Sequence, residues 1–348
     1  MRFSQRLRML VAATCVALLL PAAAMAETIL RYTDHEPLGG MRTRFIKDVF
    51  FAAVEKESNG RLKIRDQWDS SVATGYDALR TIGTGSAADI GIVVPEYTDK
   101  DLPLHQIFKG FPAGPAGQQQ VRFFRRVFAE IPEFAAELKK NNVVNIFIAT
   151  GYPVAFFSPK PLKNLEEIKA DTWRTASFWH RDFLRNAGAS PVSIPWGVGV
   201  FNALKAGTLN GLMVNIDSGH MLKVHEVAPH VLASRELWLG HVYLLAMNAG
   251  VWERLAQEDK DAIGRAADTA YRTLGGVMDS SFDAMVKDMT AEGAKIRLLE
   301  TSEVLAFAKA TRFEEVQAAW ARAEEAKGQR GAGEMIEKVR ALLRDSVK

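Results

Sequence analysis

The stretch from Asp171 to Asn215 constrains the chain most, because it alternates short apolar runs with helix-length segments in strict order. Asp171-Thr172-Trp173-Arg174-Thr175 reads as a strand that delivers the guanidinium of Arg174 at its far end. A helix follows on Phe178, Phe183 and Leu184, and Asn186-Ala187-Gly188-Ala189 ends it, with Gly188 free to take the left-handed backbone that a helix stop needs. Pro191 to Trp196 is extended. A second helix spans about Gly199 to Lys205, and Gly211 to Asn215 is a last strand. Strand, helix, strand, helix, strand is the order of a parallel sheet with crossover helices, which binds ligands outside the carboxyl ends of its strands. Arg174, Trp196 and Asn215 all fall at such ends and are expected to converge.

Upstream, the same alternation recurs. Strands are expected at Thr28–Tyr32, Leu62–Trp68 and Ala88–Val94, separated by helices at Met41–Ser58 and Gly75–Gly83. The loop Asp34 to Gly40 follows the first strand, so His35 and Glu36 become ligand-contact candidates. An amphipathic helix is expected from Gln119 to Lys139, and Val143–Ala149 and Leu237–Asn248 read as strands that cross between two domains and form a hinge. The remainder reads as almost entirely helical. Asp259–Glu292 is long enough to lie across both domains, with Gly264, Gly275 and Gly276 leaving a kink as open as a straight rod. Thr301–Glu325 and Gly333–Val347 complete it.

The ordered residues Lys160-Pro161-Leu162, Leu165-Glu166-Glu167-Ile168, Trp173-Arg174, Gly188-Ala189-Ser190-Pro191-Val192 and Ala203 through Gly211 resemble one family. They are similar to the substrate-binding proteins of tripartite ATP-independent periplasmic (TRAP) transporters, of the C4-dicarboxylate-binding, DctP-like type. The resemblance extends over nearly the whole chain after residue 26. It implies an α/β protein of two lobes, each a mainly parallel sheet flanked by helices, with a long helix spanning both. Residues 27–148 would form lobe I, joined by the chain returning from about 237, and 149–236 lobe II, with 249–348 packing helically on both. It further implies that Arg174 binds a substrate carboxylate, that the amide of Asn215 assists it, and that membrane subunits of a transporter are the partners. From strand position alone, a structural ion pair for Arg174 stands equally open.

Departures from the family pattern bear on the substrate. Relatives that bind more highly charged acids often carry a second arginine after the strand matching Val143–Ala149, where this chain has Tyr152-Pro153-Val154-Ala155-Phe156-Phe157. The pocket is therefore expected to have lost one anion-binding group, although Arg80 or Arg122 could supply it from another loop. Trp68, Tyr97, Tyr152, Phe178, Trp179 and Trp196 stand near expected strand ends. Each suits core or hinge packing, and as a set they suit the flat body of an aromatic or branched monocarboxylate.

Arg2, Arg6 and Arg8 precede the apolar run Met9–Leu20 and the small-x-small site Ala24-Met25-Ala26, the pattern of a cleavable secretory signal over residues 1–26, and hence of a periplasmic protein. Removing 26 of 348 residues leaves 322, and the three arginines lost take the formal charge from +3 to 0. Nothing then favours nucleic acid or an anionic membrane. The one cysteine, Cys15, lies inside the signal, so disulfides and thiolate chemistry are not expected.

Catalytic signatures are sparse. His225 and His230 are five apart with Pro229 between them, unlike the four-residue spacing of a helical zinc motif. Gly83-Thr84-Gly85-Ser86 lacks the third glycine of a dinucleotide loop and the lysine of a phosphate loop. No metal and no cofactor are expected. The reading that follows is a monomeric solute receptor for an organic acid. The alternatives are an extracytoplasmic enzyme acting on a carboxylate, with Glu36 or His35 as its acid or base, and a receptor serving another transporter or a sensor.

Overall fold

Apolar stretches bounded by glycine, proline and asparagine become strands, and the computed structural model describes residues 27–346 other than Pro195 and Leu239. The expected signal peptide, 1–26, lies outside the described residues. In chain order the strands are β1 (Thr28–Thr33), β2 (Leu62–Gln67), β3 (Ile90–Val93), β4 (Val143–Thr150), β5 (Val154–Ser158), β6 (Thr172–Arg174), β7 (Ser190–Val192), β8 (Gly211–Asn215), β9 (His230–Ala233), β10 (Val242–Asn248) and β11 (Lys295–Leu298). They form two sheets among the described residues, ordered β2-β1-β3-β10-β4 and β11-β9-β5-β8-β6-β7.

The Asp171–Asn215 unit folds as its alternation requires. Strands β6, β7 and β8 are mutually parallel, joined by helices Phe178–Asn186 and Val198–Lys205. Gly188 takes the left-handed backbone at φ +93°. Gly211 pairs with Trp173, and a Cβ added to it would lie 2.5 Å from the indole, so the absence of a side chain lets the two strands close over that ring.

One strand in each sheet runs against its neighbours. In the first sheet β10 is antiparallel to β3 and β4, and in the second β5 is antiparallel to β8 and β9. Their amino ends therefore meet the carboxyl ends of the strands beside them, with Val242 opposite Thr150 and Val154 opposite Asn215. Strands β4 and β10 do not themselves cross between sheets. Short segments do, and Gly151 N–H donates to the His241 carbonyl at 3.0 Å, tying the two crossings together. Leu237, expected in the return strand, forms a separate bridge to Ala113.

Helix Gln257–Ala291 is continuous over 35 residues, about 52 Å at 1.5 Å per residue. It packs on helices Ala52–Glu57 and Gly117–Glu130 beside the first sheet and on helix Ile216–Met221 and β11 of the second. The helix runs without a break through Gly264, Gly275 and Gly276, and Gly275 has a packing role. A Cβ there would come 2.3 Å from the Gln118 backbone nitrogen.

Four boundaries differ from the sequence expectation, each for a local reason. Gln119–Lys139 is two helices, Gly117–Glu130 and Pro132–Lys140, because Pro132 has no N–H to continue the ladder. Thr301–Glu325 divides at Arg312, whose φ is +51°. Met41–Glu57 contains a π-helical stretch, Ile46–Phe51, whose wider turn lets the adjacent Phe50 and Phe51 both reach the core, against Phe147 and Tyr32. Finally, β11 interrupts the supposedly helical tail and adds an edge strand to the second sheet.

Candidate functional site

Between the sheets lies a cleft of about 550 Å³, within the range of small-ligand sites. Six of the eight candidates line it: Arg174, Asn215, Trp196, Tyr97, His35 and Glu36. Trp68 does not. It follows the edge strand β2, packs on Tyr32 at 5.0 Å, and donates its indole N–H to Asp66. Tyr152 sits in the crossing segment and faces a separate void of about 10 Å³ beside Met278 and Phe282. Phe178 and Trp179 pack on each other, with Trp179 against Trp320, and line no part of the cleft.

Arg174 ends β6 with 2 % of its surface exposed. Its Nε donates to the Ile194 carbonyl at 2.9 Å, and its guanidinium lies 5.4 Å from the Trp196 ring centre. No acid among the described residues lies within ion-pair distance, so both Nη groups keep their hydrogens for another partner. Burial lowers its pKa from the ordinary value, with Glu96 opposing. An arginine remains a cation under such a shift.

The first-sheet wall is built around paired acids. Tyr32 donates to Asp34 at 2.7 Å, and Arg42 grips Asp34 through two bonds of 2.7 and 3.0 Å while reaching Glu36 at 2.8 Å. Burial alone would raise the Asp34 carboxyl, yet Arg42 holds it below the usual carboxylate range. On the other side Lys109 reaches Glu96 at 2.6 Å. Arg80 pairs with Asp77 on the surface, and neither it nor Arg122 lines the cleft.

Asn215 ends β8 at the cleft. Its amide nitrogen donates to Asp217 and to the Ser218 hydroxyl, the latter at 2.9 Å, so its Nδ2 hydrogens are committed and Oδ1 has no partner among the described residues. The resemblance implied an amide that assists Arg174, and this amide stands at the cleft with its Nδ2 hydrogens engaged. Burial, with Glu36 adding to it, pushes the Asp217 carboxyl up to about 7.

A raised carboxyl has a stability consequence of definite sign. Between pH 4 and 7 folded Asp217 keeps a proton that the unfolded chain has released, so its contribution falls as pH rises, by up to about 1.4 kcal/mol per unit. Asp217→Asn is expected to gain on the parent by roughly 1–2 kcal/mol between pH 5 and pH 7 in urea unfolding. A stability difference that stays constant across that range would refute the assignment.

Several lining residues were missed in the sequence. Glu96 and Tyr76 border expected elements, and Tyr76 stacks on Tyr97 at 4.6 Å with 67 % of its surface exposed. His241 and Tyr243 enter from the amino end of β10, a position that a rule about carboxyl ends of parallel strands passes over. His180 comes from the first turn of the helix after Arg174. His225 and His230 lie elsewhere, the former 2.7 Å from Glu292 and the latter opening β9.

The sequence model of the DctP family, described as bacterial extracellular solute-binding protein, family 7, matches residues 44–323. No curated protein matches the chain. Solved structures share the fold over most of both chains. A marine metagenome TRAP solute-binding protein specific for aromatic acid ligands, solved with 3-hydroxybenzoate, is 20 % identical with a TM-score of 0.78, covering 93 % of this chain and all of that one. One from Rhodoferax ferrireducens T118, with copurified benzoate, is 19 % identical at 0.77, covering 92 % and 98 %. One from Desulfovibrio salexigens, in an open complex, is 19 % identical at 0.76, covering 91 % and 96 %. This chain therefore belongs to the DctP family of extracellular solute-binding proteins and has the two-lobed α/β fold of the TRAP solute-binding proteins.

Proposed function

We propose that the chain is the periplasmic receptor of a TRAP-type secondary transporter, and that it captures an organic monocarboxylate with an aromatic or apolar body and presents it to the membrane subunits. The observation that carries this reading is Arg174: a buried guanidinium without an acidic partner among the described residues, open on both Nη groups to a cleft of ligand size. Its planar fork matches a carboxylate with two parallel charge-assisted bonds. Tyr97, Tyr243 and Trp196, with Ile194 and Met213, supply the surface for a flat body. The benzoate and 3-hydroxybenzoate held by two structural relatives are acids of that kind.

The lobes are taken as 27–148 with the chain returning from about 237, and 149–236, the protein acting as a monomer. Binding without turnover is favoured over an enzyme by the state of the would-be acid and base. Glu36 is held by Arg42, and burial lowers the basicity of His35 even against the raising effect of Asp34. The test is a thermal-shift screen over organic acids followed by calorimetry and recovery of the bound compound. A ligand at a thousand times its Kd is expected to stabilise by about 4 kcal/mol and to be recovered unchanged. A screen in which no organic acid binds saturably, or a bound acid that returns chemically altered, would overturn the receptor reading.

A further inference from the structure

At the cleft two histidines keep hydrogen-bonding capacity that no described residue uses. His241 opens the segment before β10, and its Nδ1 lies 3.2 Å from Lys109 Nζ. An ammonium group only donates, so Nδ1 must accept and the ring hydrogen sits on Nε2. That nitrogen is buried and has no partner among the described residues. His180, 1 % exposed, has no partner on either ring nitrogen among the described residues. Both rings line the cleft, one from each sheet's flank.

Their protonation states follow from their surroundings. Burial lowers the basicity of both, and the charge on Lys109 lowers it further, bringing His180 to about 3. Arg42, His35 and His180 act on His241 in the same direction. Each ring is therefore neutral at neutral pH. Together they present one N–H from His241, and one N–H and one lone pair from His180. Leaving such buried groups unmet is costly, so a ligand that meets them gains by it.

The unmet donor of His241 and the unmet acceptor of His180 select the chemistry of a group that bridges the two rings. A carboxylate only accepts: it could take a hydrogen from each ring, but it would leave the His180 lone pair unmet and bring its charge beside Glu96, 3.9 Å from His241 Nδ1. An ammonium only donates, and would face both the His241 N–H and Lys109. A hydroxyl does both, taking the His241 hydrogen on its oxygen and giving its own to His180. We propose that His180 and His241 form a hydroxyl-recognition subsite of the cleft, so that the substrate is a hydroxy-substituted monocarboxylic acid whose hydroxyl lies between the two rings. This inference rests on the reading of Arg174 as the carboxylate clamp and adds a second fixed point to it.

The test uses matched acids that differ only in a hydroxyl: benzoate against its three hydroxybenzoates, and phenylacetate against mandelate and the three hydroxyphenylacetates. Each is titrated calorimetrically into the parent, His180→Phe and His241→Phe, with circular dichroism reading the fold of each variant. At least one hydroxylated isomer is expected to bind the parent about tenfold or more tighter than its deoxy partner, since a site built around a hydroxyl rejects the analogue lacking it. In either variant that ratio is expected to fall to within about twofold. Hydroxylated acids that never exceed their deoxy partners by more than twofold in the parent would show that the histidines hold solvent only, and would overturn the proposal. So would a ratio that survives both substitutions. The parent titrations separate this failure from that of the receptor reading. Deoxy acids that bind in an Arg174-dependent way leave the receptor standing while the subsite falls, and failure of every acid to bind removes both.

Discussion

Replacing Arg174 with lysine is expected to weaken the bound acid by roughly thirtyfold or more, about 2 kcal/mol, although the formal charge is unchanged. The guanidinium is anchored through Nε to the Ile194 carbonyl and lies over Trp196, so its two Nη groups are already oriented before the ligand arrives. Lysine has one compact ammonium on a flexible stem. It can satisfy either the Ile194 carbonyl or one carboxylate oxygen well, and it cannot hold the two-bond fork. The ligand-free protein should respond differently, because Arg174 forms no ion pair with a described residue, and the loss of folding stability is expected to stay under about 1 kcal/mol. Calorimetry and urea unfolding on the same preparations separate the two effects. Equal affinity in parent and Arg174→Lys would place the carboxylate elsewhere. A large loss of folding stability would instead mark Arg174 as a structural residue that anchors the Ile194 segment through Nε.

Arg174 was legible because its place depends on a local rule. A strand, a helix stop at Gly188 and a close-packed Gly211 fix where β6 ends, and a parallel strand's end is where ligands meet an α/β sheet. The same rule passed over His241 and Tyr243. They come from a reversed strand, and strand direction depends on the route of the crossing segments rather than on the composition of Val242–Asn248. β5 was likewise given no element, although four consecutive apolar residues at Val154–Phe157 suit a strand covered on both faces. Pro132 was a readable helix break that the amphipathic pattern overrode. The orientation of the Asn215 amide was not readable at all. It is set by Asp217 and Ser218, two and three residues on, once a helix starting at Ile216 folds them back onto it.

Succinate, malate and fumarate are expected to bind at least about a hundredfold more weakly than the best aromatic or branched monocarboxylate, and here the structure strengthens an argument the sequence left open. The missing cation at Tyr152–Phe157 could have been replaced from elsewhere, but Arg80 and Arg122 lie away from the cleft. The buried cations that do stand beside it are already committed, Arg42 to Asp34 and Glu36, and Lys109 to Glu96. Glu36 and Glu96 themselves line the cleft. A second carboxylate would shed its water and meet acids rather than a free guanidinium, and a like charge at about 6 Å costs roughly 3 kcal/mol at an effective dielectric constant of 20. The partners of those acids offset part of this repulsion, which is why the expectation is a hundredfold and not more. An apolar ring in the same place gains roughly 25 cal/mol for each Å² removed from water, about 3 kcal/mol for a buried phenyl group. Competition titration against a single reporter acid measures the ratio directly, and Glu36→Gln should narrow it by removing one of the two facing charges. A dicarboxylate that competes as well as every aromatic or branched monocarboxylate would mean that Arg42 or Lys109 leaves its acidic partner for the ligand, and the electrostatic account of this cleft would fall with it.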